Sequence, residues 1–168
     1  MKKITLLSIL ACLILPALMI PSCASGAPAQ EGSTKFSDVQ DKEWFLSEIK
    51  TGGKTITIDR KKFEAENMAG YFSITFQKDK TTNENRVGGM GAPNRYFGPY
   101  TEGSNRSLTI GNLASTLMMA FKEPEGIKEY EYFQYLSKVT RWNLRDGKLE
   151  LSALSSDGKE AALVFTGK

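Results

Sequence analysis

Val139-Thr140-Arg141-Trp142-Asn143-Leu144-Arg145-Asp146-Gly147-Lys148-Leu149-Glu150-Leu151 decides the fold class of this chain. Two runs with strand chemistry flank an Asp-Gly pair, the strongest kind of short hairpin signal, because both central residues of such a loop take positive φ. A second pair, Asp157-Gly158, joins this hairpin to residues 161–166, so the C-terminal third reads as a three-stranded antiparallel meander. Upstream, Phe72, Ile74 and Phe76 alternate with Ser73, Thr75 and Gln77, the period of a strand with one buried face. Residues 44–49 and 55–58 form two more strands around the turn chemistry of Thr51-Gly52-Gly53-Lys54.

Two segments break the strand pattern. Residues 60–69 predict a short helix with Phe63 inward. Residues 124–138 predict a longer one, with Pro124 in the first turn, Glu123 and Glu125 beside the positive dipole end, and Ile127, Tyr130, Phe133 and Leu136 as its apolar stripe. An antiparallel sheet over the apolar face of one amphipathic helix makes an α+β domain.

The N-terminus carries a different signal. Lys2 and Lys3 precede an apolar run from Ile4 to Ile20, broken only by Thr5, Ser8 and Pro16, and Ser22 stands before Cys23. This is the order of a secretory signal, and a cysteine directly after the small residue points to its lipoprotein form. The expected organisation is a signal peptide over 1–22, a flexible tether over 23–40 starting at acylated Cys23, and a folded domain over 41–168. A cleaved but unlipidated signal and a retained anchor helix are the alternatives; Pro16 and the missing second charged flank speak against the anchor. The expected address is the bacterial envelope. Ala24 is not acidic, which favours the outer membrane facing the periplasm, with surface exposure as the alternative.

Composition then excludes whole classes of chemistry. The chain has 22 Lys and Arg against 19 Asp and Glu, and loss of Lys2 and Lys3 leaves a formal +1, too little for a nucleic-acid face. There is no histidine, and both cysteines, Cys12 and Cys23, lie in the N-terminal segment. The domain therefore lacks the ligands of Cys/His zinc sites and the base of a Ser-His-Asp or Cys-His system. No cofactor, metal or nucleic acid is expected. Gly88-Gly89-Met90-Gly91 lacks the spacing of a phosphate loop and reads as room for close backbone approach.

In mid-chain, Asn94-Arg95-Tyr96-Phe97-Gly98-Pro99-Tyr100 is followed by Leu108-Thr109-Ile110-Gly111 and by 113–120, Leu-Ala-Ser-Thr-Leu-Met-Met-Ala. With Trp44-Phe45-Leu46 before and Leu149, Leu151, Leu163 and Phe165 after, this order resembles the META domain (HslJ-like) family of envelope lipoproteins. The resemblance spans about 41–168. It implies a mostly antiparallel β-sheet curled into a partial barrel around the one helix, and links to stress response, envelope integrity and drug tolerance. The family's two cysteines are absent, with Pro93 at one place and Ala120 or Phe121 at the other, so no disulfide carries over.

The functional expectation is a non-catalytic envelope lipoprotein that binds a protein partner or a small apolar ligand, held to the membrane by its lipid. Asn94, Arg95, Tyr96, Tyr100 and Tyr132 are the candidate binding residues, since they concentrate an amide, a guanidinium and rings without the charge for catalysis. A carboxylate-dependent enzyme acting on envelope glycans and a purely structural surface protein are the alternatives.

Overall fold

The 139–151 hairpin forms in the computed structural model as the sequence dictates: Val139–Arg145 (β8) and Lys148–Leu154 (β9) pair in antiparallel register, with Asp146 at φ 52° and Gly147 at φ 70°. The structure describes residues 35–120 and 122–168; the signal peptide, Cys23 and most of the expected tether lie outside them, as does Phe121. The second Asp-Gly behaves differently. Only Gly158 takes a positive φ, of 78°, and Ser155 closes a wider loop through its N–H to the Lys159 carbonyl at 2.8 Å. That loop delivers Glu160–Gly167 (β10) onto β9.

The remaining strands extend this meander. Glu43–Thr51 (β1) pairs with β10 on one side and, on the other, with Lys54–Thr57 (β2) and Ser73–Lys78 (β3). Asn85–Met90 (β4), Arg95–Glu102 (β5) and Leu108–Ile110 (β6) follow, giving the order β6-β5-β4-β3-β1-β10-β9-β8. Ala114–Ser115 (β7) adds a short second partner to β5. The two ends of the row meet at a Ser107–Arg141 bridge, where Arg106 Nη1 donates to Asn143 Oδ1 at 2.7 Å. The ten strands thus form a nearly closed antiparallel barrel, the expected α+β class.

Both helices are shorter than the sequence pattern predicts, for identifiable reasons. Asp59 caps Arg60–Ala65 (α1) by accepting the Lys62 N–H at 3.0 Å, and Asn67 at φ 58° stops it well before residue 69. The 124–138 helix begins only at Glu129 and runs to Leu136 (α2). Gly126 sits at φ 93°, which no right-handed helix accommodates, so Pro124 lies in a loop. Glu129 and Glu131 occupy the dipole positions expected of Glu123 and Glu125, and Glu131 accepts the Lys128 N–H at 2.9 Å. Glu125 instead pairs with Lys62 of α1 at 2.7 Å. The stripe also turns: Tyr132 and Leu136 are fully buried, while Tyr130 is exposed.

Two plugs fill the barrel ends. At one, α2 brings Tyr132 against Phe72 with ring centroids 5.2 Å apart. At the other, Phe36, in a short 3-10 turn, stacks edgewise on Phe76 at 5.2 Å and Trp142 at 5.0 Å. This corrects the expected start of the domain at Asp41. Phe36 is 3% exposed, Val39 is fully buried, and the Val39 carbonyl accepts the Trp44 Nε1–H at 2.9 Å, so residues 36–40 are part of the folded domain rather than tether, with Phe36 and Val39 in its core. Phe36→Ala is therefore expected to lower unfolding stability by about 3–5 kcal/mol, as removal of a buried aromatic ring does. Denaturant unfolding checks this; a loss under about 1 kcal/mol would return the segment to the tether.

Candidate functional site

The turn from β4 to β5 is where three parts of the chain converge. Gly91 N–H donates to the Asn94 carbonyl at 2.6 Å across a cis Ala92-Pro93 bond. Glu129, in the first turn of α2, reaches into this turn. Its Oε1 accepts the N–H groups of Ala92 at 2.6 Å and Asn94 at 2.7 Å, and its Oε2 accepts the Asn94 Nδ2 at 2.7 Å. Short charge-assisted bonds of this kind compensate a carboxylate for lost water. Gly91 makes the approach feasible: a Cβ there would lie 2.5 Å from Glu129 Oε1 and 2.8 Å from the tip of the Phe133 ring.

Asn94 passes the constraint on to residues 116–118. Its Oδ1 accepts from Thr116 Oγ1 at 2.9 Å and from the Met118 N–H at 2.6 Å, and its Nδ2 also donates to the Met118 carbonyl at 3.3 Å. A primary amide has two donors and two acceptor positions. All four are spent within the chain, so the buried Asn94 has nothing left to offer a ligand. It is a clamp. Arg95 next to it is exposed, and its backbone pairs with Thr116 in both directions, at 3.0 and 3.2 Å.

Beneath the clamp, Tyr96 and Tyr132 both donate to the Ser73 carbonyl, at 2.8 and 3.1 Å, with their hydroxyls 3.2 Å apart. Gly89 leaves the space, because a Cβ there would fall on the Ser73 carbonyl oxygen and 3.0 Å from the Tyr96 hydroxyl. Close backbone approach, the expected role of the glycine-rich stretch, is what it provides. Both rings are buried, which corrects the idea that Tyr132 faces a partner: on α2 its position points straight into the barrel mouth. Tyr100 is also buried, and separate. It lies about 17 Å along β5 from Arg95 at a strand's rise per residue, accepting from Gln40 Nε2 at 2.7 Å and packing on Phe76.

Of the five expected residues, the fold thus brings Asn94, Arg95, Tyr96 and Tyr132 together and leaves Arg95 alone at the surface. What the residue reading missed is the segment the clamp holds. Leu117 is 98% exposed, Met119 94% and Met118 59%, and every residue from 114 to 119 is exposed. The available signal was an uncharged run, residues 113–120, with no polar alternation. Glu129 was also missed, its carboxylate reading as one of several solvated acids at a helix start. A groove of about 640 Å³ lies beside this region, on the outer face of β4 and β5, lined by Arg86, Phe97, Pro99 and Asn112.

Burial pushes the Tyr96 and Tyr132 phenols well above the ordinary tyrosine value, since the phenolate has no water. Their folded pKa lies above an unfolded value of about 10, so the stability they contribute is complete below about pH 10 and is lost as pH rises beyond it. Absorbance titration is expected to show Tyr96 and Tyr132 ionising only together with unfolding above pH 10. Reversible ionisation of every tyrosine near pH 10 in the folded protein would contradict the buried cluster.

The META domain model matches residues 37–167 of the chain. Among solved structures, a protein from Burkholderia xenovorans determined by NMR is 20% identical, with a TM-score of 0.62 over 89% of this chain and 97% of that one. A DUF4847 family protein from Bacteroides vulgatus is 14% identical, with a TM-score of 0.48 over 78% of this chain and 95% of that one. No curated protein matches. At 20% identity the likeness to the Burkholderia xenovorans protein concerns the fold.

Proposed function

The chain belongs to the META domain family, and on that premise we propose that it is a non-catalytic interaction module of the bacterial envelope, tethered through acylated Cys23. One observation carries this reading: a clamp of buried, saturated Asn94 and half-buried Glu129 fixes a segment whose Leu117, Met118 and Met119 side chains stand in solvent. Apolar side chains on a mobile loop gain little from being there. Held on a fixed backbone, they form a preorganised docking patch, because ordering of that backbone is not required at binding. The methionines suit such a surface by adapting to a partner's shape.

The small-ligand alternative has less support. The tyrosines expected to line a ligand mouth pack against one another and against Phe72 and Phe133, and α2 and Phe36 fill the barrel ends. The enzyme alternative gains no support from Glu129, whose described partners are all N–H donors of the clamp.

A photoreactive residue at position 117 in the full chain, expressed in a bacterial envelope, is expected to give a discrete protein adduct. The same probe at Thr81, exposed in the β3–β4 turn, is expected to give none. Leu117→Lys should change the melting temperature by no more than about 2 °C, as surface changes of under 0.5 kcal/mol do. Equal labelling at both positions, or none at 117, would defeat the docking role.

A further inference from the structure

The groove on the outer face of β4 and β5 holds a ring that its strand neighbours leave bare. Phe97 stands in the middle of β5 and is 57% exposed. Directly opposite it are Gly88 on β4 and Ala114 on β7, and neither has a side chain that could cover the ring. The space along this row, about 640 Å³, is that of a site for a small organic ligand.

The uncharged polar side chains around the ring are amides. Asn83 and Asn85, where the β3–β4 turn enters β4, and Asn112, in the link between β6 and β7, all line the groove. None of these side-chain amides has a hydrogen-bond partner among the described residues. The charges are mostly matched. Arg86 meets Glu84 at 3.3 Å and Asp79 at 3.6 Å, which leaves Lys78 as the lining charge without an ion pair among the described residues.

This chemistry selects among occupants. An extended peptide docks by adding to a strand edge, but β4 pairs with β3 and β5, and β5 with β4, β6 and β7, so the floor of the groove has no free edge. A single exposed ring is also too little for a polyproline segment, which needs an aromatic-lined groove. Nucleic acid requires more cationic contacts than one unmatched lysine. A wholly apolar ligand would strip water from the amides and return no partner. A neutral pyranose sugar satisfies every group. Its C–H face, slightly positive and apolar, suits the negative face of an aromatic ring, and its adjacent hydroxyls match a primary amide, which donates and accepts side by side. We propose that this groove binds a neutral oligosaccharide, with Phe97 as the stacking platform and Asn83, Asn85 and Asn112 reading the hydroxyls. The site is separate from the Leu117–Met119 patch and does not depend on it.

The test uses the full chain in a detergent without a sugar headgroup. It is titrated with cellotriose, maltotriose and tri-N-acetylchitotriose, and binding is followed by ligand-observed NMR. At least one of these sugars is expected to bind with a Kd below about 1 mM. For that sugar, Phe97→Leu keeps apolar bulk but removes the ring face, and should weaken binding about tenfold, whereas Phe97→Trp should keep or tighten it. Asn112→Ala should weaken binding about threefold or more and move the melting temperature by no more than about 2 °C, because its amide holds nothing in the fold. A Kd weaker than about 1 mM for all of the sugars overturns the proposal. So does binding that Phe97→Leu leaves unaltered, or that a folded Phe97→Trp variant loses.

Discussion

The Glu129 carboxylate and the Asn94 amide, joined at 2.7 Å, are the contact on which the α2 end of this barrel depends. Removing a carboxylate from water is costly, and only a full set of donors offsets the loss. The β4–β5 turn supplies that set from the N–H groups of Ala92 and Asn94 and from the Asn94 side chain. In doing so it fixes where α2 begins, which residue of α2 enters the barrel mouth, and which way Asn94 presents its oxygen. Segment 116–118 then has one position open to it. Hydrogen-bond compensation of a charge, side-chain saturation and a fixed loop are consecutive consequences of one half-buried acid.

The rest of the barrel is arranged so that this end has little freedom. Tyr96 and Tyr132 converge on the Ser73 carbonyl through the gap left by Gly89, locking α2 to β3 and β5. The opposite mouth is sealed by Phe36 against Phe76, Tyr100 and Trp142. The chain therefore enters the domain at one end of β5 and presents its apolar segment at the other. Under the proposed tether at Cys23, the Leu117–Met119 face turns away from the attachment point.

Period-2 alternation and two Asp-Gly pairs made the strands legible, because half-buried strands write their burial into the sequence. In β3, Ile74 and Phe76 are buried as expected, but Phe72 sits just before the strand at φ 53° and Ser73 is buried as well, under the tyrosine hydroxyls that its carbonyl accepts. Helix ends were less legible. Pro124 and its flanking acids carry a sound N-terminal signature, but the positive φ of Gly126 overrides it, and a glycine announces freedom without announcing its use. The tether boundary failed for a related reason, since composition around Phe36 is small and polar while one ring does the packing. At the site, Asn94 was visible as a turn residue. Its partner Glu129 lies 35 positions away, and no local pattern connects the two. Tyr96, Tyr100 and Tyr132 were read as candidate binding residues, and the structure buries all three, because ring count does not reveal which face of a helix or strand is turned inward.

Amide hydrogen exchange tests the central claim most directly. The N–H groups of Ala92, Asn94 and Met118 donate to clamp side chains, whereas that of exposed Leu117 has no hydrogen-bond partner among the described residues. The account predicts strong protection at the first three and none at Leu117. In Glu129→Gln, which turns one of the carboxylate's acceptor positions into a donor, protection should fall together at Ala92, Asn94 and Met118 while the β9–β10 amides keep theirs. Exchange at Met118 as fast as at Leu117 in the unaltered protein would show that the segment is not held, and would contradict the account.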